Sequence, residues 1–324
     1  MAEAVKTKYN LGNTPDVPSP LNVELHETYK KMHAEGVPVP PFREPNNIPK
    51  RCGRTLSLPP FQLIGWTPLV EINQITKEEG AVARVVAAKF EGLNPSSLVK
   101  DRITLEMVLD AEQKGLITPG LTTLIEPSGG NTGIALALSD NLLASIPNSF
   151  MLDQFNNPQN PLSHFKTTGP EIWTATEGKI DIIVGTAGTG GTISGTGHYL
   201  KSMNPKVKVV GVEPAESPVM QGGKLWPHVV QGTGPEMIPE TIDVSVMDEL
   251  VSVTDEETLT MTGRFGLEEG LLVGISSGVA IAGALKVAKK PENTGKLIVA
   301  LLPSAGERYL STILFKDIKG EWKI

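Results

Sequence analysis

Lys100 has the sequence surroundings that most strongly indicate chemistry in this chain. It lies in the segment 94–102, which is rich in small and polar residues, directly before a helix-like run at 103–115. Such a lysine can be a solvated surface charge, as most lysines are. It can also be an amine held at a helix entrance to form a Schiff base with a carbonyl cofactor. The spacing alone leaves both interpretations open.

A glycine-rich turn at 188–192 is the second candidate, because it follows an apolar run at 180–184 and precedes a helical pattern. Glycines allow several backbone N–H groups to point at one spot, and a helix N-terminus adds partial positive charge there. The turn therefore predicts a phosphate site. It matches neither the dinucleotide nor the nucleoside triphosphate fingerprint, and a plain glycine-rich turn is the alternative.

Two further loops precede helical patterns. The loop 126–133 offers backbone N–H groups, two hydroxyls and an amide, which suits a carboxylate and leaves Asn131 free to reach a ring oxygen. The alternative is a helix cap made by Ser128 or Asn131. The loop 274–278 carries serines, and a serine hydroxyl can accompany a pyridine nitrogen without supplying a counter-charge.

The elements that must position these motifs alternate between strand and helix patterns from residue 58 onward. Several apolar runs are short and continuous, as in strands buried on both faces. The alternation predicts an α/β architecture with parallel sheets. Predicted strands are 84–90, 121–125, 180–184, 207–212 and 297–302, and predicted helices are 101–114, one beginning at Asn131, 194–202, 255–269 and 277–289.

Composition excludes several classes of function. The 324 residues carry a net charge of -7, which argues against a nucleic-acid partner. No apolar run approaches the ~20 residues needed to span a bilayer. The one cysteine, Cys52, permits no intramolecular disulfide and fits a reducing compartment. The five histidines show no metal-ligand spacing, so no metal site is predicted.

The first 57 residues differ from the rest, since ten of the 26 prolines lie within the first 60 residues. Proline removes backbone donors and favours extended chain, which predicts an irregular arm with one short helix at 24–34. The predicted organisation is this arm at 1–57, a smaller α/β domain at 58–150 and a larger α/β domain at 151–324. Residues 58–75 are expected to pack on the larger domain.

The ordered set of motifs is specific, although each motif alone is weak. The chain resembles the cysteine synthase (O-acetylserine sulfhydrylase) and β-cyanoalanine synthase family, which are pyridoxal-phosphate enzymes of the tryptophan synthase β fold, fold type II. The resemblance extends over about residues 63–315. It rests on the Lys100 segment, the loop 126–133, the turn 188–192, Leu-Ile-Gly-Trp-Thr-Pro-Leu at 63–69, Thr-Thr-Gly-Pro-Glu-Ile-Trp at 167–173, Gly-Val-Glu-Pro at 211–214, and the segments 270–278 and 306–311.

The resemblance implies two three-layer domains with pyridoxal 5'-phosphate in the cleft between them. It implies that Lys100 forms the Schiff base, that Asn131 bonds the 3' oxygen of the cofactor and that Ser276 bonds its ring nitrogen. The phosphate would be bound by Gly188, Thr189, Gly190, Gly191 and Thr192. The substrate carboxylate would be bound by Ser128, Gly129, Asn131, Thr132 and Gln154.

The reaction implied by the resemblance is β-replacement, in which O-acetyl-L-serine and sulfide give L-cysteine. Cyanide is the alternative nucleophile, and the sequence does not choose between two such small molecules. The resemblance further implies a homodimeric, cytoplasmic transferase of amino-acid biosynthesis, with serine acetyltransferase as a partner. No nucleic acid, membrane or metal is expected.

The chain departs from the family after Leu138. On the order of 45 residues that family members have after this point are absent from this chain, which is more than one βα unit of ~30 residues. In the family these residues belong to the part that closes over substrate, so we expect their absence to leave a sheet edge unpaired or an apolar face uncovered. Gly129 replaces a serine, and Glu236 would oppose a carboxylate substrate. The alternatives are therefore an active enzyme, a non-catalytic paralogue that binds serine acetyltransferase, or a chain that does not fold stably.

Overall fold

The computed structural model describes residues 19–37, 60–126, 143, 145–234 and 238–316 of the chain. Helices and strands are interspersed through these ranges, although α4 and α5, β6 and β7, and α7 and α8 follow each other without a strand or α-helix between them. The helices are α1 (Pro20–Glu35), α2 (Gln74–Glu78), α3 (Lys100–Gln113), α4 (Gln159–Lys166), α5 (Thr168–Ala175), α6 (Gly191–Met203), α7 (Asp255–Glu268) and α8 (Ile275–Ala288). The strands are β1 (Leu69–Glu71), β2 (Val85–Phe90), β3 (Thr123–Ile125), β4 (Ser149–Met151), β5 (Ile182–Thr186), β6 (Lys208–Pro214), β7 (Glu249–Val253) and β8 (Leu297–Leu302).

The larger sheet has the strand order β1-β2-β8-β5-β6-β7. Strand β1 is antiparallel to β2, and all the other neighbours are parallel. The central strand β8 pairs with β2 on one side, Val85 opposite Leu297, and with β5 on the other, Ile182 opposite Ile298. The predicted parallel α/β architecture is confirmed. Strands β1 and β2 share this sheet with strands from beyond residue 151. The predicted division into domains at 58–150 and 151–324 stays a prediction.

Both faces of this sheet are covered by helices. Successive residues of a strand point to opposite faces, and in β5 the side chains of Ile182 and Val184 enter one core cluster while Ile183 enters the other. Helices α7 and α8 contribute to the first cluster, and α1, α4, α5 and α6 to the second. Burial on both faces explains why the strand sequences are continuously apolar.

A smaller parallel sheet consists of β3 and β4, with Thr123 opposite Ser149. Within the described ranges each of these strands pairs on one side only. Leu124 in β3 is 43% exposed, and Leu121 just before it is 70% exposed. The expectation that loss of the segment after Leu138 leaves a sheet edge unpaired and apolar surface uncovered stays a prediction, because residues 127–142 lie outside the described ranges.

The elements that were predicted differ from the observed ones mainly at their ends, and β1, β4, β7, α2, α4 and α5 were not predicted. Strand β5 begins at Ile182 rather than at 180, and β3 begins at Thr123 because the N–H of Leu121 closes a turn on Thr118 instead. The predicted arm helix is present as α1, where the Ser19 hydroxyl accepts the Asn22 N–H as a cap. No helix in the described part of the chain is long and apolar enough to cross a membrane.

Some sequence predictions lie outside the described residues. These are the helix beginning at Asn131 and the charge expected at Glu236. The same holds for four residues of the predicted substrate loop, Ser128, Gly129, Asn131 and Thr132.

Candidate cofactor site

Lys100 is the first residue of α3, as the sequence predicted. The segment before it is attached to the carboxyl end of the central strand β8. The Val99 N–H donates to the Pro303 carbonyl at 2.8 Å, and the Ala305 N–H donates to the Ser97 carbonyl at 3.1 Å. Ser97 adopts a left-handed conformation with φ 58°. These contacts place the lysine where open parallel sheets bind ligands, beyond the carboxyl ends of their strands.

The glycine turn 188–192 follows β5, the parallel neighbour of β8, and leads into α6. Its glycines are required by their surroundings. A Cβ on Gly188 would lie 2.0 Å from the Gly232 carbonyl oxygen, and one on Gly191 would lie 2.0 Å from Asn160 Oδ1. Gly190 has φ +79°, and its Cβ would lie 1.8 Å from Ile242 Cγ1. These contacts leave no room for a side chain at the three positions, and the turn lies at a helix N-terminus, where an anion can bind.

Thr189 connects the amine to this turn. Lys100 Nζ donates to Thr189 Oγ1 at 3.4 Å, and Asn160 Nδ2 donates to the same oxygen at 2.9 Å. The Thr241 hydroxyl donates to the Thr189 carbonyl at 2.6 Å, which fixes the backbone of the turn. The predicted meeting of the lysine and the 188–192 turn is confirmed.

The other hydroxyl of the turn, Thr192 Oγ1, lies 3.1 Å from His164 Nε2. The His164 Nδ1 lies 2.8 Å from the Thr168 hydroxyl, so both ring nitrogens have partners. Burial lowers the pKa of His164 to about 3. The imidazole is therefore neutral near pH 7 and adds no charge beside the turn.

The Lys100 amine has an altered acidity. Its removal from water lowers its pKa from 10.5 to about 8, although the charge of Glu126 acts in the opposite direction. Burial raises the pKa of Glu126 to about 7, while its oxygens accept the N–H groups of Asp153 and Gln154 at 3.0 and 2.7 Å. A neutral amine is the form that attacks a carbonyl. Lys100 is thus partly in its reactive form near neutral pH.

A buried ion cluster lies behind Lys100, and the sequence did not predict it. Arg102, in the first turn of α3, donates to Glu91 at 2.6 Å and to Glu171 at 2.7 Å. Lys89 Nζ donates to Glu171 at 2.6 Å. Burial alone would raise the pKa of Glu91, but the charge and hydrogen bonds of Arg102 lower it to about 2. The cluster fixes the start of α3, and hence Lys100, against β2 and α5.

Ser276 and Gln154 lie in the same region as Lys100 and the turn. Ser276 is 6% exposed in the first turn of α8, whose start is attached to β8 by a bond of 3.0 Å from the Gly274 N–H to the Ser304 carbonyl. Gln154 is 8% exposed, and its carbonyl accepts the same Asn160 amide that binds Thr189. The roles assigned to both residues stay predictions.

The arrangement fits pyridoxal phosphate. The bare backbone at the N-terminus of α6 is a cradle for its phosphate. An amine of lowered pKa lies within hydrogen-bonding distance of that cradle, where it can hold an aldehyde. Asn160 and Thr241 were missed by the sequence analysis. Their only sequence signal is that each lies next to a proline-containing segment, which does not indicate a role.

Comparisons with known proteins agree with this geometry. Residues 60–139 and 138–304 match the family described as pyridoxal-phosphate dependent enzyme. The two stretches meet at 138–139, where the sequence analysis placed the absent segment.

Named relatives cover most of the chain. It is 40% identical over 305 residues to cysteine synthase 3 of Caenorhabditis elegans, covering 80% of this chain and 90% of the relative. It is 38% identical over 311 residues to cysteine synthase A of Escherichia coli K12, covering 79% and 94%. Each alignment is longer than the number of residues of this 324-residue chain that it covers. Each relative therefore has residues within the aligned region that have no counterpart in this chain.

Solved structures share the fold. A cysteine synthase from Entamoeba histolytica has a TM-score of 0.75 at 32% identity, covering 85% of this chain and 93% of the other. O-ureido-L-serine synthase has a TM-score of 0.74 at 34% identity, covering 82% and 97%. The chain belongs to the family of pyridoxal-phosphate-dependent enzymes that includes the cysteine synthases.

Proposed function

We propose that this protein is a pyridoxal-phosphate-dependent cysteine synthase, which replaces the acetoxy group of O-acetyl-L-serine by the sulfur of sulfide and releases acetate. The observation that carries the proposal is the 3.4 Å approach of Lys100 Nζ to Thr189 Oγ1 in the glycine turn. It brings a reactive amine and an anion cradle to one place, as a phosphorylated aldehyde requires. The relatives that match most of the chain are cysteine synthases.

The bound cofactor supplies a carbonyl for the substrate amine and an electron sink for the carbanion. The chain's own residues have distinct tasks. The N–H groups of the turn 188–192 bind phosphate, and Thr189 holds the amine over it. With cofactor bound and the substrate amine in place of Lys100, Nζ would be free to accept the α-proton, and its pKa of about 8 suits a base that works near neutral pH. The products would be L-cysteine and acetate.

Ser276 has the role of a neutral partner for the cofactor's ring nitrogen. It lies in the first turn of α8 and is 6% exposed. A hydroxyl supplies no counter-charge, so the ring nitrogen need not stay protonated. The weaker electron sink favours elimination over transamination. Gln154, Ser128, Gly129, Asn131 and Thr132 are assigned to the substrate carboxylate by the same proposal.

The test is cysteine formation from O-acetyl-L-serine and sulfide by purified protein supplied with pyridoxal phosphate. Lys100→Ala should abolish both product formation and the visible absorption of the lysine-bound cofactor, which lies near ~410 nm. Lys114→Ala is the matched control, because Lys114 lies at the other end of α3 and pairs with Asp110 near the surface. The proposal fails if wild-type protein binds cofactor through Lys100 and forms no cysteine.

A second candidate is a catalytically impaired paralogue that binds serine acetyltransferase. The segment missing after Leu138 favours it, since the family uses that part of the fold to close over substrate. Cyanide in place of sulfide, giving β-cyanoalanine, is a third possibility for the same site. Parallel assays with sulfide and cyanide, together with binding of a serine acetyltransferase C-terminal peptide, separate the three.

The same proposal includes a homodimer in the cytoplasm. The resemblance to cysteine synthases supports the homodimer. The single cysteine of the chain fits a reducing compartment such as the cytoplasm. Light scattering of the purified protein tests the dimer, and imaging of a tagged chain in cells tests the compartment.

A further inference from the structure

A second cluster of chemically capable side chains lies further along α6, away from the phosphate turn. His26 Nε2 and His198 Nε2 each lie 2.6 Å from the same oxygen, Asp243 Oδ2. One ligand atom from each of the three residues lies within 4.8 Å of the others. The two imidazole rings meet edge to face with centroids 4.8 Å apart. Nothing in the proposed cysteine synthase reaction uses these residues.

The three residues come from three separate parts of the fold. His26 is on α1, His198 is on α6, and Asp243 precedes the short 3₁₀ helix Val244–Val246. The carboxylate is already oriented, because its other oxygen, Oδ1, accepts the backbone N–H and the hydroxyl of Ser245 at 2.9 and 2.6 Å. Outer hydrogen bonds of this kind orient the carboxylates of metal sites. Oδ2 is thereby aimed at the two histidines.

We propose that His26, His198 and Asp243 form a zinc site that ties α1 to α6. Two imidazoles and a carboxylate are common ligands of Zn²⁺, with metal distances of about 2.0–2.2 Å, and sites with three protein ligands keep a fourth position for water. Tetrahedral ligands at such distances lie about 3.3 Å from one another. To admit the ion, the two contacts of 2.6 Å need to lengthen by less than about 1 Å, and the two histidine ligand atoms, which lie within 4.8 Å of each other, need to approach to the same separation.

The ring protons of His26 and His198 leave room for an ion when they are on Nδ1. An imidazole whose Nε2 binds the ion must carry its ring proton on Nδ1, so each histidine gives up its Nε2 proton when the ion enters. The side chains of His26 and His198 are 33% and 18% exposed, so water can reach these rings. Ser245 occupies only the other carboxylate oxygen of Asp243, Oδ1, so Oδ2 is available to a cation once the imidazole protons are on Nδ1.

A neighbouring hydroxyl points to the same conclusion. Tyr29 lies one turn after His26 on α1 and stacks on His198 with ring centroids 4.6 Å apart. Its hydroxyl is buried and has no hydrogen-bond partner among the described residues. The zinc proposal assigns this donor an acceptor, a water in the fourth position of the metal.

The zinc site would stabilise the folded chain and hold the helix that carries the anion cradle. It joins α1 to α6, and the first residue of α6, Gly191, is in the phosphate turn. His198 lies two turns further along that helix. Because Zn²⁺ binds the folded chain through three distant elements, it stabilises the folded state and holds α1 in place. The inference does not depend on the proposed cysteine synthase activity.

The test uses the full chain loaded with pyridoxal phosphate, stripped with a chelator and titrated with Zn²⁺ alone. We expect one Zn²⁺ per chain by elemental analysis and a melting temperature raised by about 5 °C at a ~100-fold excess over the dissociation constant. His26→Gln and His198→Gln keep an N–H donor for Asp243 but remove an imidazole ligand. Each should weaken zinc binding by at least ~10-fold and remove most of the thermal shift.

His33→Gln is the matched control, because His33 is an exposed histidine on the same helix. It should leave both zinc stoichiometry and the thermal shift unchanged. The zinc site is refuted if wild-type protein binds Zn²⁺ no more tightly than the His26→Gln His198→Gln double variant. Melting of that variant without zinc shows whether it folds, so misfolding cannot be mistaken for loss of a ligand.

Discussion

Lys100 Nζ donates a hydrogen bond to Thr189 Oγ1 although the two residues are 89 positions apart in the chain. The contact exists because β8 and β5 are parallel neighbours, so the segments at their carboxyl ends meet at one edge of the sheet. Lys100 is attached to the end of β8, and Thr189 follows β5. The chemistry of the site depends on this one adjacency.

Thr189→Val should weaken binding of pyridoxal phosphate. The substitution removes the oxygen that accepts hydrogen bonds from Lys100 and from the Asn160 amide, and leaves the shape nearly unchanged. We expect about tenfold weaker binding or more, which corresponds to ~1.4 kcal/mol. Titration of apoprotein followed by visible absorbance measures it. Thr174→Val, at an exposed threonine of α5, is the control, and equal affinities in the two variants would contradict the role of Thr189.

Gly190→Ala should destabilise the fold far more than an alanine at another left-handed glycine. Its Cβ would lie 1.8 Å from Ile242 Cγ1 in addition to the strain of φ +79°. Gly222 has φ +78°, and a Cβ added there would meet no atom within 4 Å, so Gly222→Ala carries the strain alone. We expect losses in the free energy of unfolding of about 3 kcal/mol or more and about 1 kcal/mol respectively. Urea unfolding of both variants provides the comparison.

Arg102→Met should destabilise the protein by about 3–5 kcal/mol, because it leaves the carboxylates of Glu91 and Glu171 buried with Lys89 as their one remaining cation in the cluster. Arg264→Met is the control. Arg264 pairs with Glu78, Glu79 and Glu268 near the surface, and its loss should cost about 1 kcal/mol or less. Urea unfolding at pH 7 measures both losses.

The pH dependence gives the Arg102 prediction a second readout. The folded-state pKa of Glu91 is lowered from 4.5 to about 2, so its ion pair contributes full stability above 4.5 and loses it as pH falls towards 2. The gap between wild type and Arg102→Met should therefore narrow over that window. A gap that stays constant between pH 5 and 3 would show that the cluster acts by packing rather than by charge.

Capture of the cofactor by apoprotein should accelerate with pH around a midpoint near 8. Lys100 reacts as the neutral amine, and its pKa is lowered from 10.5 to about 8 by burial. The charge of Glu126 raises the pKa of Lys100, so Glu126→Gln should move the midpoint to lower pH. Stopped-flow absorbance after mixing apoprotein with pyridoxal phosphate measures the rate. Lys114→Ala, at the far end of α3, should leave the midpoint in place.

Local patterns in the sequence determined much of the fold. Apolar runs and glycine turns predicted the strands β2, β5, β6 and β8, because burial on both faces and helix entry leave a signature within a few residues. The order of motifs also pointed to the lysine and the phosphate turn. The short strand β4 was not predicted. It follows the absent segment, and the absence of a segment leaves no pattern in the neighbouring residues.

Tertiary structure alone decided which side chains meet. Arg102 and Glu171 are 69 positions apart, and Asp243 is 217 positions from His26. Nothing in the local sequence around these residues marks them as partners, because a charge or an imidazole looks the same whether it faces water or another group. Only the packing of helices, α1 on α6 and α3 on α4, brings these side chains together, and the burial of Arg102 and Glu171 makes their pairing necessary. The sequence thus pointed to the amine and its cradle, and the fold decided what holds them in place.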